Sequence, residues 1–311
     1  MISSFFSKTK PINYLVLLIF LLVFYTINFF AFKNPSLDVV LFALVLIATL
    51  LQVIGVQEIV RKSKTTNTTS FAMLFFVLLC MAIPQIIHFK EVVFCNLFLM
   101  LSLNRLLPLK NLKQVKSKIF DATLWICVAS IFDPWVLLFL TIVFLAVYVY
   151  GTKDFKNWLV PIVAIIFFVL LLVTFLTLTK NIAFLGDHYI VEFKAGFLES
   201  FINNFNLKPF IYILIVLGLI LIVFIKQGYQ GVARIVHLRL LLVYFLVAVF
   251  VFSIQNTKTN NYMVLLYSFF PASVFATNFL ETLKKKRLKE LVLVICVLFP
   301  FILLIIDLVK K

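Results

Sequence analysis

The chain has 311 residues, of which 64% are hydrophobic and 13% charged, with a mean hydropathy of +1.16. Soluble domains carry about 25% charged and about 45–50% apolar residues, so a water-soluble enzyme and a disordered chain are both excluded. The formal charge of +16, from 28 Lys and Arg against 12 Asp and Glu, reads in so apolar a chain as basic cytoplasmic loops rather than a nucleic-acid surface.

Apolar runs reach about twenty residues, where a membrane β-barrel would alternate over segments of about ten. The expected fold class is therefore all-α: a polytopic helical membrane protein, one integral domain over residues 1–311 with no soluble domain. The first apolar run, 12–32, is too long for the core of a signal peptide, and no small-x-small cleavage site follows it. It reads as an uncleaved span with its basic end, Lys8 and Lys10, on the inside. Further spans are predicted at 37–59, 70–87, 92–107, 119–132, 135–150, 158–179, 209–225, 236–254, 262–280 and 291–308, about eleven in all. That number puts the N-terminus inside and the C-terminus outside. Twenty of the 28 basic residues then fall in inner connections and eight in outer ones, the bias that orients such proteins.

The pair 119–132 and 135–150 is joined only by Phe132-Asp133-Pro134. Fourteen residues at ~1.5 Å each reach ~21 Å, short of a hydrocarbon core of ~30 Å. The pair is either a short hairpin or one long broken helix. A broken helix would reverse every later segment and move the basic run at 284–289 outside, so the charge bias favours the hairpin. Backbone groups freed at the Asp133-Pro134 tip and at Pro84 need protein or water as partners, which points to an outward-facing cavity.

Three connecting stretches look amphipathic. Over 105–119, Leu106, Leu109, Leu112, Val115 and Ile119 oppose Arg105, Lys110, Lys113, Lys116 and Lys118. This spacing predicts a basic helix on the anionic cytoplasmic leaflet. The run 281–290, with Lys284, Lys285, Lys286 and Arg287, reads as a second one. On the outer side Ile190, Phe193, Phe197 and Phe201 form a stripe that predicts a horizontal helix. The lipid bilayer, with anionic lipid at its cytoplasmic face, is thus an expected partner.

Ionisable groups near a bilayer are costly and therefore candidates for function. Asp38, Glu91 and Asp133 come from separate outer connections, and His88 sits beside Glu91. Brought together, they could deprotonate an acceptor hydroxyl or hold a divalent cation. The alternative for Asp38 and Asp133 is helix capping. Gln52 and Asn96 suit interhelical hydrogen bonds. The four cysteines lie in apolar runs without ligand spacing, and no facing His pair suits a haem. No Walker or GxGxxG motif suggests a nucleotide.

The run Ser7-Lys-x-x-Pro-x-Asn-Tyr14 resembles the opening of a polytopic inner-membrane family of Bacteroidota, especially flavobacteria, that has no established activity. This resemblance implies a multi-pass protein of the bacterial inner membrane and brings no catalytic residues with it. The architecture also resembles the membrane glycosyltransferases that use polyprenyl-phosphate sugars. Those have ten or more helices, short helix pairs and an acid early in the first outer loop, where Asp38 falls here. Their first outer loop is long, whereas here it has about four residues. That likeness implies glycosyl or lipid-linked group transfer at the outer face, with Asp38 as base and Asp133, Glu91 or His88 assisting. A second reading is a non-catalytic subunit or scaffold of an envelope complex, its basic stretches touching lipid or protein partners. A transporter is the third, although no charge falls at the middle of a span.

Overall fold

The computed structural model describes residues 2–31, 39–111, 114–150, 154–189, 207–226, 232–259 and 262–309, and among them there is no strand. The helices are α1 (Ile2–Phe6), α2 (Pro11–Ala31), α3 (Val39–Ser63), α4 (Phe71–Ala82), α5 (Lys90–Leu106), α6 (Val115–Ala129) and α7 (Leu140–Val149). They continue with α8 (Lys156–Leu178), α9 (Ala183–Tyr189), α10 (Leu207–Lys226), α11 (Val232–Thr259), α12 (Leu266–Thr282) and α13 (Lys286–Val309). Short 3₁₀ turns fill Pro84–His88, Leu107–Asn111, Pro134–Phe139 and Tyr262–Leu265.

Seven stretches among the described residues are long and apolar enough to cross a membrane. They are Pro11–Phe29, Val39–Ser63, Lys90–Leu109, Lys156–Leu178, Leu207–Lys226, Arg234–Gln255 and Tyr262–Thr282. The eleven expected spans include segments that the structure makes shorter. The predicted span 70–87 is a helix of 12 residues, Phe71–Ala82, followed by the 3₁₀ turn. Pro84 has no amide hydrogen to extend the α-helical ladder, and it stands at the start of that turn. At ~1.5 Å per residue α4 reaches only ~18 Å.

Two helices form the centre. From Phe71 to Leu78 on α4, and from Met263 to Phe275 through the start of α12, every residue is buried. α12 packs on α4, α5, α10 and α11, and α4 also receives α2, α3 and α13. The periphery is different: Ile162, Ile166, Leu170 and Phe175 on α8 and Leu214, Leu221 and Ile225 on α10 are exposed. An exposed apolar surface of this extent suits contact with lipid chains.

Buried polar side chains join the helices. Gln52 on α3 donates to the Val93 carbonyl at 2.7 Å and accepts from the Asn96 amide of α5 at 2.8 Å, as the sequence suggested. Tyr25 of α2 donates to the Cys80 carbonyl of α4 at 3.1 Å, and the Tyr212 and Ser268 hydroxyls of α10 and α12 meet at 2.8 Å.

The Ser7–Tyr14 run also acquires a physical reason. Pro11 opens α2, and the Asn13 side-chain amide donates to the carbonyls of Lys8 at 2.7 Å and Phe5 at 3.2 Å and to the Ser70 hydroxyl at 3.3 Å. Asn13 thereby holds the turn between α1 and α2 against the start of α4. α1 is in turn fastened to α13, because Ser3 donates its backbone amide and its hydroxyl to the Glu290 carboxylate.

The 119–150 region is a hairpin. Tyr150, after α7, donates to the Leu107 carbonyl at 3.4 Å, and Lys118, near the start of α6, donates to the neighbouring Pro108 carbonyl. Both ends of the pair thus lie beside the same turn. At the other end Phe132 stacks on Phe94 and Phe98 of α5.

Two basic stretches differ from expectation. Residues 105–119 are not one amphipathic helix: α5 ends at Leu106, a 3₁₀ turn with Pro108 follows, and α6 starts after Gln114 at φ 53°. Leu106, Leu107, Leu109 and Ile119 fill the protein interior, so the apolar half of the pattern records core packing rather than immersion in headgroups. The run 281–290 is likewise a break: α12 ends at Thr282, Leu283 is extended, and α13 begins at Lys286. Lys284, Lys285, Lys286 and Arg287 are exposed there. The predicted horizontal helix at 190–205 lies outside the described residues.

α8 ends without glycine. The Lys180 amide donates to the Thr177 carbonyl and the Asn181 amide to the Leu176 carbonyl, with Lys180 at φ 56°. That pairing is the Schellman stop, and α9 follows directly to lie over the hairpin tip.

Candidate functional site

Asp133 stands at the hairpin tip because an extended backbone there, φ −147°, precedes Pro134 and lets its carboxylate cap the following turn. Oδ1 accepts from the Trp135 amide at 3.1 Å, and Oδ2 accepts from the Gln255 side chain at 2.6 Å and the Tyr267 hydroxyl at 3.0 Å. Only 8% of the residue is exposed. The capping role foreseen for Asp133 is present, together with two side-chain bonds to α11 and α12. The ring of Tyr267 continues into a fully buried aromatic group, with the Phe139 ring centre 6.2 Å from that of Tyr267 and 4.8 Å from that of Tyr244. The Tyr244 hydroxyl is buried and without a partner.

α9 covers the same tip. The Ser130 carbonyl accepts from His188 Nε2 at 2.9 Å, and the Ser130 and Tyr189 hydroxyls meet at 3.0 Å. A carbonyl partner requires the proton on Nε2.

The other sequence candidates are elsewhere. Asp38 lies outside the described residues. Glu91 is exposed in the first turn of α5. His88 ends the 3₁₀ turn before α5, and burial holds its imidazole below the ordinary histidine pKa. Its Nδ1 is buried and unpartnered. The bonds of Asp133 go to Trp135, Gln255 and Tyr267, and neither Glu91 nor His88 is among them. Among the described residues no group of three His, Cys, Asp or Glu is placed to hold a metal ion.

At the opposite end the structure assembles a charged cluster that sequence reasoning missed. Arg234, in the first turn of α11, donates from Nη2 to Glu281 at 2.7 Å and Asn278 at 2.6 Å, both on α12. Its Nε donates to the Thr65 carbonyl at 2.9 Å and Nη1 to the Asn67 side chain at 3.3 Å. Glu281 accepts further from the Asn67 amide and the Thr69 hydroxyl. The Arg234 side chain is 16% exposed and that of Glu281 7%. Asn278 and Glu281 are three apart and so share a helix face. That spacing, on an otherwise apolar helix, was the available signal.

Chemically, the Asp133 carboxylate has both oxygens committed, and so does Glu281. Each binds a loop or hairpin tip to the paired helices α11 and α12, one at each end of the bundle. Of the basic surface candidates, Lys116 is exposed, Lys118 is tied to the Pro108 carbonyl, and Arg105 pairs with Asp121 at 3.4 Å. The side chains of Lys110 and Lys113 lie outside the described residues.

No curated protein and no solved structure matches this chain. Its sequence matches a family of unknown function (DUF6427) over residues 1–309, and the chain belongs to that family.

Proposed function

We propose that the chain is a non-catalytic scaffold subunit of the bacterial inner membrane, on which an envelope complex assembles. What supports this reading is the use made of its buried charges: Asp133, Arg234 and Glu281 spend their bonding groups on partners within the chain, joining helices. The competing reading is outer-face group transfer with Asp38 as base, favoured by the unpartnered Nδ1 of His88, three residues before Glu91 in the chain. Complementation of a deletion strain separates the two. For a scaffold, Asp38→Asn and a combined His88→Gln, Glu91→Gln variant, at wild-type abundance, restore growth fully and keep the same co-purifying partners. Loss of growth at unchanged abundance and unchanged partners would overturn the scaffold in favour of the transferase.

The topology we infer is eleven crossings, N-terminus inside and C-terminus outside, with α4, α6 and α7 as short members packed within the bundle. The twenty-to-eight charge bias supports it. So does the pairing of connections: 63–70 bonds with Arg234 and Glu281, and 107–108 with Lys118 and Tyr150. In a background with Cys80, Cys95, Cys127 and Cys296 replaced by Ala, an impermeant maleimide is expected to label Glu91→Cys in intact spheroplasts. Lys285→Cys is expected to react only after lysis. The reverse pattern would refute this orientation.

A further inference from the structure

We propose that a shallow groove between α6 and α8 binds one anionic phospholipid, its phosphate held by Lys116 and Lys156 and an acyl chain lying on Phe120, Val160 and Val163. The groove has a volume of about 450 Å³ and is lined by Lys116, Ser117, Phe120, Lys156, Leu159, Val160 and Val163. Its chemistry is divided along its length. Both lysines and the serine hydroxyl belong to the first turns of α6 and α8, where the two helices begin side by side. The rest is apolar and continues down α8, whose Val163, Ile166 and Phe167 face outward. A cationic rim above an apolar floor matches an anionic headgroup above a chain. A free phosphate would leave the floor uncovered, and a neutral lipid would leave two cations without a counter-charge.

The lysines are free to take that role. Among the described residues neither has an acidic partner, and the nearest acid on α6, Asp121, is already paired with Arg105. Phe120 is fixed against Phe167 with ring centres 5.9 Å apart, so the floor is formed before a lipid arrives. Basic pockets between membrane helices on the cytoplasmic side are where anionic headgroups bind. The assignment to the inner leaflet rests on the topology proposed above, whereas the binding itself does not.

The test is native mass spectrometry of the full chain in detergent, titrated with phosphatidylglycerol or with phosphatidylcholine of the same acyl chains. The wild type is expected to retain one phosphatidylglycerol with a preference on the order of tenfold, given two cations near the headgroup. Lys116→Gln with Lys156→Gln is expected to bring retention down to the phosphatidylcholine level. Lys90→Gln with Lys208→Gln, elsewhere on the surface, leaves it unchanged. Excess glycerol 3-phosphate, the headgroup without chains, does not displace the lipid. Equal retention of both lipids, an unaffected double variant, or displacement by glycerol 3-phosphate would each overturn the proposal. The maleimide labelling above fails or succeeds independently of all three.

Discussion

Arg234→Ala is expected to destabilise the folded chain by about 3–5 kcal/mol, the range for removing one partner of a buried ion pair. The guanidinium fills four acceptors drawn from two segments: Glu281 and Asn278 on α12, and Thr65 and Asn67 between α3 and α4. Truncation leaves the Glu281 carboxylate in place, 7% exposed, with only the Asn67 amide and the Thr69 hydroxyl as donors. The cost is then mostly that of an uncompensated buried charge rather than of lost attraction. A double variant distinguishes these. Arg234→Ala combined with Glu281→Gln removes both charges and is expected to be less destabilised than Arg234→Ala alone. Thermal unfolding in one detergent, followed by circular dichroism, measures the series. If Arg234→Ala unfolds within about 1 kcal/mol of the wild type, the cluster is a solvated surface contact, and the clamp between α11, α12 and the 63–70 turn does not hold the bundle.

The helical class was legible in the sequence, because the length of an apolar run is a direct consequence of the bilayer's thickness. The hairpin at 119–150 followed from the charge bias, and the roles of Gln52 and Asn96 from amides set within apolar runs. The shorter elements did not. Nothing in the hydropathy of 70–87 separates a full crossing from a 12-residue helix and a 3₁₀ turn, since a helix buried by its neighbours is as apolar as one in lipid. The same ambiguity produced the amphipathic reading of 105–119, where Leu106, Leu109 and Ile119 are spaced for a lipid surface and are used instead in the core. The polar nodes were half visible. Asp133 stood out as a carboxylate before proline, but Gln255 and Tyr267, 122 and 134 residues away, gave no local sign. Pairings at such separation are set by how helices pack. A polar residue on an apolar helix announces that it has a partner without naming it.

That partnership is measurable at Asp133. Asp133→Ala is expected to cost about 2–4 kcal/mol: about 1 for the lost cap on the Pro134–Phe139 turn and the remainder for the severed side-chain bonds. Tyr267 is fully buried, and with the carboxylate gone its hydroxyl loses the acceptor it meets at 3.0 Å. Tyr267→Phe alone is expected to cost less, about 0.6 kcal/mol and at most about 1.7, the mean and maximum for single interhelical hydrogen bonds in a membrane bundle. Asp133→Asn falls between them, since its remaining carbonyl oxygen can serve the Trp135 amide while its NH₂ opposes the donors on α11 and α12. The order Ala, then Asn, then Tyr267→Phe is therefore the signature of a carboxylate that works as a structural acceptor. Denaturation of the purified chain in detergent gives the ranking. Growth of a deletion strain carrying the same variants gives the consequence, and for a scaffold the two run in parallel. If Asp133→Asn instead abolished growth while unfolding like the wild type, the carboxylate would be needed for its charge or its proton. The hairpin tip would then be the place to look for chemistry, with the unpartnered Tyr244 hydroxyl and the α9 cover over Ser130 as the next residues to change.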